Sequence, residues 1–561
     1  SPCPPSSASA AMKIARFQTD TTVADFAANA PRIARSAARA REPGASLAVF
    51  PELAVCGYPA EYLLLRQAFV ARHDEALRDL ATRVPPDVDV LVGCLEANDD
   101  APQTGGRALH NAVALLRGGA ARVVARKSLL PTYDVFDESR YFEPWPTPET
   151  NVVDVAGTRV GVVVCEDGWN DERFFGRRVY AVDPVERVVT AGARLVVNLS
   201  ASPWARGRQA FRVRMVAAAA ARHGVPMVYV NQVGGDVELQ FDGGSLAVQA
   251  TGIAAQPVAF AQALQVVDTS APWTERLVEP ELVEMQHAAI VQGIRAYVHK
   301  FGFEKVVVGL SGGIDSALVA TLAVDALGPG HVAGLAMPSS HSSAHSVEDA
   351  QALAENLGIV CHVLPIAPLQ AAFADVLAPV FAGTEPGVAE ENLQSRARGT
   401  LSMAFANKHG HLLLTTGNKS ECAVGYCTIY GDTNGALAPI ADLWKTEVWA
   451  MARWLNRDGE RIPQRSIDKP PSAELRPGQL DTDSLPDYEA LDPVLRCLVE
   501  EELSVEATSA RCGMARDEVA RLFGLVQGSE WKRFQYPPTL RLSDRCWPGR
   551  RMPVSHRYRE R

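Results

Sequence analysis

Three residues at the ends of separate apolar segments carry side chains that could act together in nucleophilic catalysis. Glu52 closes SLAVFPE, Lys127 closes RVVARK, and Cys165 ends RVGVVVC. A thiol is a poor nucleophile until it is deprotonated, so it needs a base and preferably a nearby cation. Because α/β active sites lie at the carboxyl ends of strands, these positions predict a covalent site made of a carboxylate, an amine and a thiol.

A second candidate site is the string SGGIDS at 311–316, which follows the apolar segment 305–310 and precedes a helical segment. Its glycines let the backbone turn tightly and bring N–H groups close to phosphate oxygens, and the following helix adds its positive N-terminus. Asp315 supplies a carboxylate for a magnesium ion carried by a nucleotide. The pattern GxxxxGK[ST] is absent from the sequence, so this phosphate loop is not a Walker A loop.

The elements around the first site alternate between short β-rich runs and helical stretches, which is typical of an α/β layered domain. Several strands are nearly continuous in Val and Leu, as expected when a sheet is covered on both faces. The predicted strands are 46–52, 89–96, 122–127, 159–166, 193–200 and 226–232, and the predicted helices are 23–41, 62–83 and 207–223.

A change of character near 268–285 separates the two halves of the chain. This segment contains two prolines and four glutamates within APWTERLVEPELVEMQH and leads into a helix predicted over 281–300. A second α/β unit follows, with strands predicted at 305–310, 331–338, 361–366 and 411–417. The Pro-rich stretch 458–488 is too long for an ordinary connection, and such loops are often functional lids.

Composition narrows the class of protein. A chain of 561 residues exceeds a single core, so two or more domains are expected. The formal net charge of −10 argues against a protein that coats nucleic acid or an anionic membrane. No apolar run is long enough for a spanning helix, and the ten cysteines contain no CxxC pair. We therefore expect a reduced, cytoplasmic chain with residues 1–11 as an extension without a role in the fold.

The segments FPELAVCGYP, RKSLLPTYDVFDESRYF and VVVCEDGW resemble the nitrilase superfamily. The resemblance implies a Glu–Lys–Cys catalytic set in which Glu52 is the general base, Lys127 stabilises the oxyanion and Cys165 carries the acyl group as a thioester. It also implies that Glu143, in RYFEP, is a further carboxylate that positions the lysine.

The same resemblance implies a glutamine site. Tyr133, Glu143, Ser202 and Arg208 match its positions. The family usually has lysine where this chain has Arg208, and arginine keeps the charge with a different donor geometry.

The second half resembles the N-type ATP pyrophosphatases and, among them, NAD synthetases. The strings ENLQSRARGTLSMAFAN, TTGNKSECAVGYCTIYGDTNGALAPIADLWKT, DKPPSAELRPGQLDTDSLPDY and EWKRFQYPP carry this resemblance. It implies that the nicotinate carboxylate of deamido-NAD+ attacks ATP to form an adenylate, from which ammonia displaces AMP.

The resemblance implies roles for individual residues of this half. The ATP-binding residues would be Gly309, Leu310, Ser311, Gly312, Gly313, Ile314, Asp315, Ser316, Thr416 and Lys445. The deamido-NAD+-binding residues would be Asn392, Glu421, Asp432 and Lys532, and Asp315 and Glu421 would hold Mg²⁺.

Together the halves resemble the glutamine-dependent NAD synthetases. The implied fold is α/β, with a nitrilase-like α-β-β-α sandwich over 12–270, a linker and connecting helix over 271–300, and a Rossmann-like doubly wound parallel sheet over 301–561. The implied partners are glutamine, ATP, deamido-NAD+ and further copies of the chain in a homo-oligomer, an octamer by resemblance. A protected channel for ammonia between the sites is chemically desirable. Two alternatives stay open: an amidotransferase of the same group with another acceptor, and a non-catalytic nucleotide sensor.

Overall fold

Two separate folding units account for the two halves of the sequence. The computed structural model describes residues 12–558 and 560, except for 341, 343 and 477, so the expected extension 1–11 lies outside the described residues. One unit comprises the described residues up to Asp236 together with Gln240–Pro280, and the other comprises the chain from Glu281 together with Val237–Leu239.

The first unit contains two six-stranded sheets with mixed strand directions. The first sheet has the spatial order Ala263–Asp268, Lys13–Gln18, Leu47–Val49, Asp89–Ala97, Leu109–Arg117 and Ala120–Arg126. The second has the order Gly252–Ile253, Leu246–Gln249, Met227–Asn231, Leu195–Ser200, Thr158–Val164 and Val152–Val155. A further hairpin pairs Val233–Asp236 with Leu239–Asp242.

The Val-rich strands are apolar on both faces because each sheet lies between another sheet and a helix layer. Val162 and Val164 pack in the core between the two sheets, whereas Val163 packs in the core on the helix side of the second sheet. Burying each such side chain contributes roughly 1.5–3 kcal/mol. A register shift by one residue would exchange the two faces, so the alternation fixes the register. The predicted α-β-β-α sandwich is confirmed.

Helices cover the outer face of each sheet in the first unit. Phe26–Arg39 and Gln67–Arg83 pack on the first sheet, and Pro184–Thr190 and Arg208–His223 pack on the second. The shorter helical segments of this unit are Glu61–Leu65, Ala101–Thr104, Glu138–Arg140, Pro148–Thr150, Cys165–Gly168 and Glu172–Phe175.

The second unit is built on a four-stranded parallel sheet. Its spatial order is Val360–Val363, Val332–Ala336, Lys305–Gly309 and His411–Leu414. The order of the strands along the chain therefore reverses beside Lys305–Gly309, the first strand of the sheet. In open parallel sheets, ligands bind at the carboxyl ends of the strands where this order reverses. The predicted doubly wound parallel sheet is confirmed.

Helices and helical turns make up most of the remaining second unit. They are Leu282–Lys300, Ile314–Leu327, Pro329–His331, Ala344–Leu357, Ala367–Phe381, Val388–His409, Lys419–Val424, Lys445–Leu455, Gln464–Asp468, Asp481–Asp483, Tyr488–Leu495, Arg496–Glu500, Val505–Cys512, Arg516–Gly528, Glu530–Arg533 and Trp547–Gly549. The helix Leu282–Lys300, expected as a connector, belongs to this unit. Within the described part of the chain, no helix combines the length and apolarity needed to cross a bilayer.

Candidate active sites

The structure brings the carboxylate and the amine of the first candidate site into direct contact. Lys127 directly follows the strand Ala120–Arg126, and Glu52 lies three residues beyond Leu47–Val49. Lys127 Nζ donates to Glu52 Oε1 at 2.8 Å, and both side chains are fully buried. The two strands lie in the same sheet, so their ends present these groups at one edge of it.

Further donors fix the orientation of the Glu52 carboxylate. Asn111 Nδ2 donates to Oε1 at 2.7 Å, and the backbone N–H of Ala201 donates to Oε2 at 3.0 Å. With Lys127, three donors from separate segments hold one carboxylate, so its position is set by the fold.

The expected role of Glu143 as the carboxylate that positions the lysine is wrong. Glu143 Oε2 instead accepts from the backbone N–H of Arg107 at 2.7 Å, whereas the carboxylate at Lys127 belongs to Glu138, with a Nζ–Oε2 distance of 2.7 Å. Glu138 lies in a helical turn that folds its side chain inward, where Tyr58 Oη also donates to it at 2.9 Å. The string DESRYF contains Glu138, but the sequence does not show which acidic residue of this region faces the lysine.

The electrostatics of the three groups favour a charged lysine and a neutral thiol at rest. Burial acts to lower the pKa of Lys127, but the charges of Glu138 and Glu52 outweigh it and hold that pKa well above its ordinary value. Burial, reinforced by the charge of Glu52, raises the pKa of the Cys165 thiol well above its ordinary value, against the effect of Lys127. The thiol therefore needs a base at the moment of attack, and Glu52 is the carboxylate with the largest effect on it.

Cys165 sits on a sharp turn that a neighbouring amide stabilises. It is the first residue after the strand Thr158–Val164 and has a φ of 43°, in the left-handed region that non-glycine residues rarely adopt. Asn198 Oδ1 accepts from the Cys165 N–H at 2.8 Å, and Asn198 Nδ2 donates to the Cys165 carbonyl at 3.2 Å. This two-sided contact compensates for backbone strain at a candidate nucleophile. Asn198 is not among the residues predicted from the sequence.

Two of the four expected glutamine-binding residues, Tyr133 and Arg208, lie beside a carboxylate that was not predicted from the sequence. Glu166, next to Cys165, accepts from Tyr133 Oη at 3.0 Å and from Tyr180 Oη at 2.6 Å. The charge of Arg208 also acts on Glu166, and its guanidinium lies 5.3 Å from the ring centroid of Trp169. Burial raises the pKa of Glu166, although the two hydroxyl groups and nearby cations favour its ionised form.

Ser202 takes a different position from this group. Its backbone N–H donates to Asn231 Oδ1 at 2.8 Å, and its side chain is buried. Of the four expected glutamine-site residues, Tyr133 and Arg208 thus gather around Glu166, while Ser202 is anchored to Asn231.

The second candidate site is a cavity of about 470 Å³ at the reversal point of the parallel sheet. Every expected nucleotide-site residue except Gly312 lines it: Gly309, Leu310, Ser311, Gly313, Ile314, Asp315, Ser316, Asn392, Thr416, Glu421, Asp432, Lys445 and Lys532. Residues from six separate segments thus meet in one cavity.

Gly312 lies behind the cavity lining and shapes the loop. Its φ is 76°, and a Cβ atom there would lie 2.5 Å from the carbonyl oxygen of Ser346. Ser316 Oγ accepts from the Ser311 N–H at 3.2 Å and donates to the Gly313 carbonyl at 3.1 Å. The glycine allows the tight turn, and the serine hydroxyl groups hold it closed.

Two carboxylates of the cavity are candidates for holding a cation. Asp315 forms an ion pair with Lys445 and accepts from Asn418 Nδ2 at 3.0 Å. Burial and the charge of Asp315 raise the pKa of Glu421 well above its ordinary value. A cation between the two would relieve this repulsion. No group of three or more His, Cys, Asp or Glu side chains suited to a metal occurs among the described residues.

The other expected substrate residues join neighbouring loops. Asn392 Oδ1 accepts from Thr428 Oγ1 at 2.8 Å, and Asp432 Oδ1 accepts from the Thr428 N–H at 2.6 Å. Lys532 Nζ donates to the carbonyls of Gly425 and Cys427 at 2.7 and 2.6 Å. Side chains from two other segments, those of Asn392 and Lys532, therefore hold loop 425–432 in place.

The cavity also contains charged residues that the sequence analysis did not assign to it. They are Glu391, Arg398, Lys469, Glu474 and Asp481. Lys469 Nζ donates to Glu474 Oε1 at 2.6 Å and to Ser346 Oγ at 2.9 Å. Three of the five lie in the Pro-rich stretch 458–488, where the string DKPPSAELRPGQLDTDSLPDY could have indicated them.

Comparison with known proteins assigns each half of the chain to a family. The carbon–nitrogen hydrolase family matches residues 13–270, and the NAD synthase family matches residues 286–536. The chain thus joins a hydrolase that acts on carbon–nitrogen bonds to a NAD synthase. A glutamine-dependent NAD(+) synthetase from Synechocystis is 46% identical over 97% of this chain and 99% of its own length. One from Thermotoga maritima is 39% identical over 98% and 99%.

Solved structures of similar proteins support the same family. The glutamine-dependent NAD+ synthetase from Acinetobacter baumannii, in complex with ADP, has a TM-score of 0.76 and 33% identity, and the match covers 97% of this chain and 98% of that one. That from Cytophaga hutchinsonii has a TM-score of 0.82 at 21% identity and supports the fold. The chain belongs to the family of glutamine-dependent NAD+ synthetases, which are ligases.

Proposed function

We propose that this chain makes NAD+ from deamido-NAD+ and ATP with nitrogen taken from glutamine. The observation that carries the proposal is the presence, in one chain, of a buried Glu52–Lys127 pair beside Cys165 and a phosphate-loop cavity. Each site alone fits many reactions. A site that releases ammonia and a site that consumes it define one overall reaction.

In the first unit, Cys165 Sγ attacks the side-chain amide carbon of glutamine. Glu52 takes the thiol proton, and the ammonium group of Lys127 stabilises the oxyanion that forms. Collapse of this intermediate breaks the carbon–nitrogen bond, and Glu52 returns the proton to the leaving ammonia. Glu52 then takes a proton from water, which attacks the thioester carbon. The carbon–sulfur bond breaks, glutamate leaves, and Glu52 returns the proton to the Cys165 sulfur. The charged state of Lys127 at rest suits its part in both steps.

In the second unit, the nicotinate carboxylate of deamido-NAD+ attacks the α-phosphorus of ATP and pyrophosphate leaves. The backbone N–H groups of loop 311–316 and the N-terminus of helix Ile314–Leu327 bind phosphate oxygens. Lys445, whose pKa Asp315 and Glu421 hold above its ordinary value against burial, supplies a fixed positive charge. Ammonia then attacks the activated carbonyl carbon, AMP leaves, and an amide results. Asn392, Asp432 and Lys532 bind deamido-NAD+.

Asp315 and Glu421 would hold Mg²⁺, because their mutual repulsion in a buried site fits a divalent cation. The ion supplies positive charge where negative charge develops on phosphate. A chelator is expected to stop NAD+ formation with either nitrogen source. Unchanged synthesis in its presence would contradict this assignment.

The test of the function is a complete reaction. Purified protein is mixed with deamido-NAD+, ATP, Mg²⁺ and glutamine, and NAD+ and AMP are measured. We expect both in equal amounts. AMP without NAD+, together with turnover of another acceptor, would favour a different amidotransferase. Nucleotide binding without either product would favour a sensor.

Two further properties rest on family resemblance and composition. A homo-oligomer, an octamer by resemblance, is tested by the mass of the particle in solution from light scattering. A cytoplasmic location fits the nine described cysteines, all of which are free thiols. Microscopy of a tagged chain tests it.

A further inference from the structure

The lysine and the thiol of the first site lie on different sheets. Lys127 follows Ala120–Arg126, the edge strand of the first sheet, and Cys165 follows Thr158–Val164, a strand of the second. No strand pairing joins the two sheets among the described residues, so no backbone ladder sets the distance between these groups. Their alignment has to come from contacts between the sheets.

One buried carboxylate bridges the two strand ends. Asp167 Oδ1 accepts from the backbone N–H groups of Ser128 and Leu129, at 3.0 and 2.9 Å. Its Oδ2 accepts from the N–H of Val164 at 3.0 Å. Ser128 directly follows Lys127, and Val164 directly precedes Cys165. A single side chain therefore fixes the segments that carry the cation and the nucleophile.

The chemistry of this bridge depends on the carboxylate. Asp167 has no exposed surface. Burial raises its pKa to about 7, against the three N–H donors and the charge of Lys127. The three backbone N–H groups need two oxygens that both accept hydrogen bonds. A protonated carboxyl group or an amide would place a hydrogen against one of these donors. Asn151 makes a second contact with the lysine-bearing segment: its Oδ1 accepts from the N–H of Arg126 and its Nδ2 donates to the Arg126 carbonyl.

We propose that Asp167 is a positioning residue of the glutamine-hydrolysing reaction, which holds the Lys127 and Cys165 segments in the alignment needed for attack. This inference rests on the proposed function of the first unit. Asp167 lies behind the reacting groups and acts through the backbone on either side of them.

The principal variant is Asp167→Asn. An amide of the same shape offers one accepting oxygen and places N–H atoms against at least one of the three backbone donors. A displacement of about 1 Å in catalytic geometry can cost on the order of 100-fold in rate. We expect kcat with glutamine to fall by about 10- to 100-fold with little change in KM, because glutamine-binding residues are untouched. Synthesis from ammonium should be unchanged.

Two further variants separate positioning from folding. Asp171→Asn is the control, because Asp171 is also buried and accepts from the N–H groups of Arg173 and Phe174, with Arg222 as a further partner. It should keep the wild-type kcat with glutamine. Asp167→Glu retains two accepting oxygens and should retain more glutamine hydrolysis than Asp167→Asn. The rate of Cys165 alkylation, followed on its own peptide by mass spectrometry, should fall in Asp167→Asn because Lys127 no longer lies where it stabilises the thiolate.

The outcomes distinguish this inference from the function on which it rests. A wild-type chain that does not hydrolyse glutamine overturns the proposed function. Wild-type hydrolysis with an equal kcat in Asp167→Asn overturns the inference. Equal losses in Asp167→Asn and Asp167→Glu at matched thermal stability would also overturn it, since packing alone would then explain the loss.

Discussion

The two sites differ in how their charges are balanced. In the first unit, Lys127 has no exposed surface and lies between Glu52 and Glu138, so each charge has a partner within the chain. In the second, Asp315 pairs with Lys445, but burial raises the pKa of three further carboxyl groups that line a cavity of about 470 Å³, those of Glu421, Asp432 and Asp481. A covalent site needs its reacting atoms in place before substrate arrives. A nucleotide site is completed by the phosphates and cation that enter it.

The largest expected effect separates the two sites. Cys165→Ala removes the nucleophile and should lower glutamine-dependent synthesis by roughly 1,000-fold or more, since the covalent route is lost. Synthesis from added ammonium should persist, because the second unit keeps all of its residues. NAD+ formation measured with each nitrogen source checks this. An equal loss with both sources would contradict two separable sites.

The corresponding change in the second unit should affect both nitrogen sources. Asp315→Ala removes a carboxylate from the phosphate loop and should lower NAD+ formation by roughly 100-fold or more. Asp325→Ala is the control, because Asp325 lies on the same helix but pairs with His287 and Arg461 outside the cavity lining. It should leave kcat near the wild-type value. Undiminished synthesis from ammonium in Asp315→Ala would show that ATP reacts elsewhere.

The balance of charge in the first site is tested by Glu138→Gln. This variant removes one of the two carboxylates that pair with Lys127, so only Glu52 remains to stabilise the buried ammonium group. We expect glutamine hydrolysis to fall by about 10- to 100-fold. Glu143→Gln serves as the comparison, and its effect should be smaller, because Glu143 bonds the Arg107 backbone. A larger loss for Glu143→Gln would restore the assignment made from sequence.

The sequence predicted those parts of the sites that depend on local pattern. The apolar segments that lead to Glu52, Lys127 and Cys165 can each be recognised from a few consecutive residues. The same is true of the glycine-containing turn before an apolar helix. Glu138 and Asp167 were missed for a different reason. Each side chain reaches a strand end that is distant in sequence because of the course that a turn takes. The hydrophobic periodicity of the sequence does not predict that course. The same holds for Lys469 and Asp481, which reach the cavity from a Pro-rich stretch.

The smallest expected effect concerns the reactivity of the thiol. Because the charge of Glu52 raises the pKa of Cys165, Glu52→Gln should lower that pKa and increase the thiolate fraction at any pH below it. Alkylation of Cys165 should then accelerate at mildly alkaline pH, by roughly tenfold per unit of pKa, although glutamine hydrolysis is lost. Lys127→Met should slow alkylation, because Lys127 lowers the same pKa. Slower alkylation in Glu52→Gln would contradict the sign of this coupling.

The central claim is that nitrogen released in the first unit becomes the amide nitrogen of NAD+. The most direct measurement supplies glutamine with an isotopic label on its side-chain amide nitrogen, in the presence of unlabelled ammonium. The mass of the NAD+ product is then measured by mass spectrometry. We expect label in the carboxamide of NAD+ for the wild-type chain and unlabelled NAD+ for Cys165→Ala. Unlabelled NAD+ from the wild-type chain would contradict it.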